Sequence, residues 1–313
     1  MSKNLKGMIY TLLAASCWGI SGVSGQYLMQ EGVSAISLTS LRMLISGIVL
    51  IIVVIVRQKG QIIEKFKAKE MIIHLLIFSL FGLLANQYTY LKTIYYTNAG
   101  TATVLQYIAP SLILTFLCIR ERRFPLLSEF IAIVMTMLGT FVMATHANFS
   151  ALAITPVGLF WGLLAAITTA IYVLYPTKLL RDNGSLFVIS FALFIGGLVS
   201  SLIGHTWNYP LYISPLNLLA YFGIIGIGTV FAYSLFLKGI SMVGPVKASL
   251  IASFEPISAV FFTVVIMKEA FNAADIFGMI LIIIAVFIIG IKDLLAAKRA
   301  EVLAKKRFRK VVK

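Results

Sequence analysis

The sequence predicts an all-α membrane protein in which ten transmembrane helices form two inverted five-helix repeats. Three observations predict it. Of the 313 residues, 60% are hydrophobic and only 12% are charged. A typical soluble domain carries about 25% charged residues, so this chain has too few to build a water-facing surface. Ten apolar stretches each reach the roughly 20 residues that a helix needs to cross a hydrocarbon core about 30 Å thick. They are far too long for barrel strands, and only helices or closed barrels satisfy their backbone in lipid. Finally, Asn86–Cys118 aligns without gaps on Ala232–Val264.

The elements follow in order, with the basic residues gathered at one set of span ends. The first span, residues 8–28, follows Lys3 and Lys6. It runs on through Trp18 to Tyr27 with no small-residue cleavage site, so it is read as a retained helix rather than a signal peptide. The second, 36–56, delivers the chain to Arg57, Lys59, Lys65, Lys67 and Lys69. Spans three (71–90) and four (98–119) enclose only Lys92 and return to Arg120, Arg122 and Arg123. Spans five (128–146) and six (156–176) enclose no basic residue and return to Lys178 and Arg181; seven (185–204) and eight (216–237) do the same and return to Lys238 and Lys247. Spans nine (246–267) and ten (274–291) enclose only Lys268 and lead to the tail. Twenty-three of the 26 basic residues thus fall on the side of the termini and two on the other, with Arg42 inside a span. By the positive-inside rule both termini are cytoplasmic. The repeats are read as 7–146 and 156–292, followed by a basic cytoplasmic tail, 293–313, taken as a solvated extension in preference to a lipid-surface helix.

The repeat itself rests on Leu91/Leu237, Lys92/Lys238, Ile94/Ile240, Ala102/Ala248, Pro110/Pro256 and Phe116/Phe262. Arg120-Glu121 then corresponds to Lys268-Glu269. Gly7 stands five residues before Leu12-Leu13-Ala14-Ala15, as Gly158 does before Leu163-Leu164-Ala165-Ala166. A unit of five spans, an odd number, enters the membrane from the opposite side the second time. Inverted repeats of this kind build many secondary transporters, with the substrate site near the midplane between the halves.

Other classes fare worse. The net charge of +15 lies between spans and in the tail, not in the basic stripe of a nucleic-acid binder, so no nucleic-acid partner is expected. Cys17 and Cys118 have no partner at metal-ligand spacing, and His74, His146 and His205 sit apart near span ends. No metal, cofactor or catalytic residue is expected, and no HExxH, phosphate-cradling loop or nucleophile elbow is present. An enzyme acting on lipid-linked substrates would need a catalytic cluster at an interface; Arg120, Glu121, Arg122 and Arg123 offer at most a phosphate contact. A non-transporting receptor is the third class.

Several motifs carry a family resemblance: Trp18-Gly19, Ser40-Leu41-Arg42, Tyr95-Tyr96-Thr97-Asn98-Ala99, and Ala102, Pro110 and Glu121 in order. Gly244-Pro245-Val246-Lys247-Ala248, Glu255-Pro256 and Lys268-Glu269 repeat the pattern. Together they resemble the EamA family of the drug/metabolite transporter superfamily over about residues 7 to 292. The resemblance implies a bacterial inner-membrane secondary carrier, often an exporter of amino acids or related metabolites. It also implies two four-helix halves around a central cavity, with the fifth and tenth helices peripheral. An importer or exchanger of the same fold is the alternative.

Within the spans, Glu255 stands out. It lies about 13 Å along the ninth helix, and an intramembrane ionisable residue is a functional hypothesis by default. Three roles are open: proton coupling, a packing contact, and direct contact with substrate. Pro256 follows it and leaves local backbone groups without partners. Arg42 is the available counter-charge, read first as a structural pair or as snorkelling to the outer interface, and second as a substrate contact. Trp18, Gln87, Gln106, Tyr107, Tyr172, Tyr233 and Ser253 are candidates for a cavity wall of aromatic and polar groups. Pro110 and Pro256 should kink their helices. Gly19 and Gly22, with Gly25, form a stripe of small residues suited to close helix approach. The expected partners are a small-molecule substrate, the bilayer, and protons as a coupling ion.

Overall fold

The structure, a computed structural model, describes residues 3–57, 66, 68–146 and 153–311. Among them are ten helices long and apolar enough to cross a membrane. Helix α1 spans Lys3–Gln30 and α2 Ala35–Arg57. Helices α3 (Lys69–Tyr96) and α4 (Ala99–Arg120) follow. The next three are α5 (Leu127–Thr145), α6 (Pro156–Leu174) and α7 (Ser185–Gly204). Helix α8 is Pro215–Val243, α9 comprises Pro245–Ala252 and Glu255–Met267, and α10 is Ala273–Val311.

Local sequence sets the helix starts. The Asn98 side chain accepts from Thr101 N at 2.8 Å and separates α4 from α3. Thr155 and Ser214 cap α6 and α8 in the same way, each with proline as the next residue, whose fixed φ suits the first helical turn. The spans differ in length from the sequence expectation. Helix α3 continues to Tyr96 and α8 to Val243, and α10 runs past Ile291 as one helix to Val311. Hydropathy marks where the apolar run ends, whereas the helix continues until a cap or a glycine stops it; Gly244 at φ +84 stops α8.

The two halves are interleaved, and the repeat explains how. Helix α1 packs on α8 and α9, as α6 packs on α3 and α4. Gly7 lets the start of α1 approach Val243 at the end of α8, and Gly158 lets the start of α6 approach Thr97 at the end of α3. Thr97 and Val243 are themselves repeat partners. Helix α2 crosses its own counterpart α7 through Gly47 against the Phe194 backbone and Gly197 against the Leu44 backbone. Helices α5 and α10 meet through Gly139 and Gly278, each facing the other's carbonyl. Without hydrophobic drive between helices in lipid, such close backbone contact is what holds them together.

Helices α5 and α10 pack chiefly on each other and are tied at both ends. On the face of the N-terminus, Glu129 is fully buried and accepts from Arg123 Nη1 at 2.7 Å, Arg123 Nη2 at 3.2 Å and Leu126 N at 2.7 Å. Lys292 of α10 also donates to it. The Arg123 guanidinium holds its proton even more tightly than usual, first because of Glu129 and then because of Glu121. On the opposite face His146 Nε2 lies 2.9 Å from Asp275 Oδ1. The cluster that offered at most a phosphate contact is therefore partly committed to structure.

Candidate functional site

Four helix irregularities, paired by the repeat, shape the middle of the bundle. Helix α4 breaks between Gln106 and Ala109, and α9 between Ala252 and Glu255. The cause is Pro110 and Pro256, which lack an N–H and whose rings exclude the carbonyl four residues back. Each break falls before the proline. Helices α3 and α8 instead carry π-helical segments, Phe78–Leu84 and Phe222–Phe231. A π-segment displaces the normal hydrogen-bond ladder and is frequent at functional sites. In α8 hydroxyls take up two of the carbonyls. Thr229 Oγ1 donates to Ile224 O at 2.9 Å, and Ser46 Oγ of α2 donates to Ile225 O at 3.3 Å.

Glu255 sits at the α9 break. The Tyr107 hydroxyl, at the α4 break in the other half, is shared between Glu255 Oε2 at 3.1 Å and Ala252 O at 3.0 Å. Ala252 O is the carbonyl that Pro256 cannot satisfy, so one phenol completes both the carboxyl and the broken backbone. Ser253, the repeat partner of Tyr107, does not join them. Its hydroxyl turns back to Ser249 O at 3.2 Å within its own helix.

Arg42 does not snorkel. It is 4% exposed, held by Nε donating to Thr229 Oγ1 at 2.9 Å. Its Nη1 is buried with no hydrogen-bond partner. Tyr233, Tyr90 and Glu255 are within electrostatic reach, but Arg42 forms no ion pair with a carboxylate among the described residues. The α8 π-segment presents Thr229 to Arg42 and so overrides the pull of the interface.

Aromatic rings enclose this region. Trp18 meets Tyr233 edge-on at 5.9 Å and Phe236 at 5.1 Å. Tyr172 stacks on Phe78 at 5.8 Å, and its hydroxyl lies 3.5 Å from that of Tyr233. Gln87 is buried close to Tyr233. The Tyr90 hydroxyl pairs with Thr103 Oγ1 at 2.8 Å. Alongside lies a second polar group. Asn86 Oδ1 accepts from Gln106 Nε2 at 2.9 Å and from Thr169 Oγ1 at 2.8 Å, joining α3, α4 and α6. Glu255, Tyr107, Gln106, Asn86, Thr169 and Trp18 are only half-buried although all lie inside spans. These polar groups are bonded across helices and yet keep part of their surface uncovered, as the lining of a crevice would.

The glycine stripe of α1 divides among neighbours. An added Cβ at Gly19 would meet Ser258 and Ala259 of α9, at Gly22 the Tyr90 hydroxyl and Ala99, and at Gly25 Leu91 and Ile224. Residues three apart drift by about 60° around a helix, so the stripe winds across α9, α3, α4 and α8 instead of lining one partner. Thr229, Thr169 and Ser46 were missed by sequence reasoning. Their only signal is a hydroxyl in an apolar run, which many structural residues share.

A family model described as the EamA-like transporter family matches residues 5–145 and again 156–291. The chain is 34% identical over 301 residues to an uncharacterized inner membrane transporter, YicL, of Salmonella typhimurium, covering 96% of this chain and 100% of that protein. A solved crystal structure superposes with a TM-score of 0.60 at 18% identity, over 96% of this chain and 99% of the other; that likeness is one of fold.

Proposed function

The chain belongs to the EamA-like transporter family, and on that premise we propose that it is a secondary active exporter of small amphipathic metabolites such as amino acids. Transport proceeds by alternating access around the crevice between the halves, in exchange for protons carried on Glu255. The membrane is the bacterial inner membrane, as for the Salmonella relative. Both termini face the cytoplasm, a reading supported by the placement of the basic residues.

The observation that carries this reading is the Tyr107–Glu255 hydrogen bond. It joins α4 of one half to α9 of the other, at two helix breaks related by the repeat. Movement of α4 against α9 would strain or break this contact. Carboxyl groups within membranes mark proton relays, and this one is half-open to the crevice. Protonation of Glu255 and occupation of the carboxylate by a substrate ammonium exclude each other, which is the requirement for exchange.

The test is efflux from proteoliposomes loaded with a panel of amino acids and amphipathic amines, with and without a pH gradient. Glu255→Gln is expected to abolish the gradient-dependent component. Full gradient-dependent flux in that variant sinks the coupling role. Binding of panel members without net movement in the wild type favours a receptor instead.

A further inference from the structure

Arg42 holds an unused binding edge. A guanidinium has five N–H donors in a fixed fork, and a buried cation is stable only when paired or hydrogen-bonded. In this protein Nε is committed to Thr229, which leaves the Nη edge on the far side of the fork. Nη1 is sealed from solvent with no acceptor. None of the neighbouring acceptors takes its proton: the Tyr90 hydroxyl pairs with Thr103, that of Tyr233 with Tyr172, and Glu255 Oε2 accepts from Tyr107.

We propose that Arg42 is the subsite for a carboxylate group of the transported molecule. Arginine matches a carboxylate through two parallel hydrogen bonds. Tyr233 lies within electrostatic reach of Arg42, and Trp18 and Tyr172 pack on Tyr233, which offers walls for an apolar or aromatic body. Glu255 stands across the site for the substrate's cationic group, so the pair selects a zwitterion by its two ends. The transport reading is the premise of this assignment, but the binding test below is independent of flux.

The probes are benzoate and benzamide, which share size and ring and differ in charge. Purified full-length protein in detergent is titrated with each at matched ionic strength, and thermal unfolding and tryptophan fluorescence are followed. Wild type is expected to prefer benzoate by at least about tenfold, the factor one charge-assisted hydrogen bond supplies. In Arg42→Gln the two probes should bind alike, and Arg42→Lys should keep part of the preference. Equal affinity for both probes in the wild type overturns the assignment without any variant. So does a benzoate preference that survives in Arg42→Gln. A wild type that discriminates the probes but moves no solute would leave the subsite standing and remove transport; a transporter indifferent to the carboxylate would do the reverse.

Discussion

Replacing Gly19 by alanine adds one methyl group where α1 touches α9, directly behind the Glu255 turn. The new Cβ would stand 2.5 Å from Ser258 Oγ and 2.9 Å from both Ala259 N and Ser258 C. The hydroxyl can rotate away, but two of the three atoms are backbone. Restoring ordinary contact needs the helices to part by about 0.5 Å, since carbon contacts settle near 3.5 Å. That stretches the bond from Ser258 Oγ to Ala15 O, already 3.2 Å, beyond hydrogen-bond range. Overpacking costs about 1–3 kcal/mol and the lost bond about 1 kcal/mol. Removing a mid-helix glycine returns about 0.5–1 kcal/mol. The net destabilisation is about 1–3 kcal/mol. Gly290→Ala is the control, because the three atoms nearest its Cβ all belong to the flexible Leu250 side chain; it should stay within about 1 kcal/mol of wild type. Unfolding in mixed micelles, by titration of a denaturing detergent, reads both. If Gly19→Ala proves as stable as Gly290→Ala and transports normally, the close crossing of α1 and α9 does not exist as described.

Other expectations follow from the same contacts. Glu129→Gln leaves Arg123 and Lys292 without their shared anion. The loss should be about 2–3 kcal/mol, less than for a fully buried pair because both cations reach water, and detergent unfolding measures it. Tyr107→Phe orphans Ala252 O, which should cost about 1–3 kcal/mol. Adding Pro256→Ala supplies a new N–H for that carbonyl, so the double variant should be more stable than Tyr107→Phe alone; strict additivity in the cycle would refute the link. Asn86→Ala removes the acceptor of Gln106 and Thr169, but water can replace it in an open crevice. Stability should change by under about 1 kcal/mol while the KM for efflux rises severalfold; an unchanged KM would remove this trio from the site.

What the sequence reveals and what it hides have physical reasons. Ten spans are legible because lipid demands long apolar runs, and the two halves because Pro110/Pro256 and Gly7/Gly158 do the same work in each. The helix breaks are legible for the same reason, since proline removes an N–H wherever it stands. The π-segments are not, because the shift in hydrogen-bond register leaves no mark beyond scattered Gly and Ser. From the sequence, Arg42 fits a structural pair or a side chain snorkelling to the outer interface, and nothing there names its partner. Its partner Thr229 lies 187 residues away on a turn that only the π-segment aims at it. Glu129 and Lys292, 163 residues apart, likewise meet only once α5 and α10 are side by side. Glu255 was evident as a lone carboxyl in a span, whereas its tyrosine donor became evident only when the two breaks were brought together.

The most direct test of the central claim is proton movement itself. Proteoliposomes holding a pH-sensitive dye are given a sudden gradient of a transported amino acid, with no pH gradient imposed. Wild type is expected to drive protons opposite to the substrate, and Glu255→Gln to move substrate without protons or not at all. Substrate flux in the wild type with no accompanying pH change, or equal proton movement in Glu255→Gln, would contradict proton exchange at Glu255.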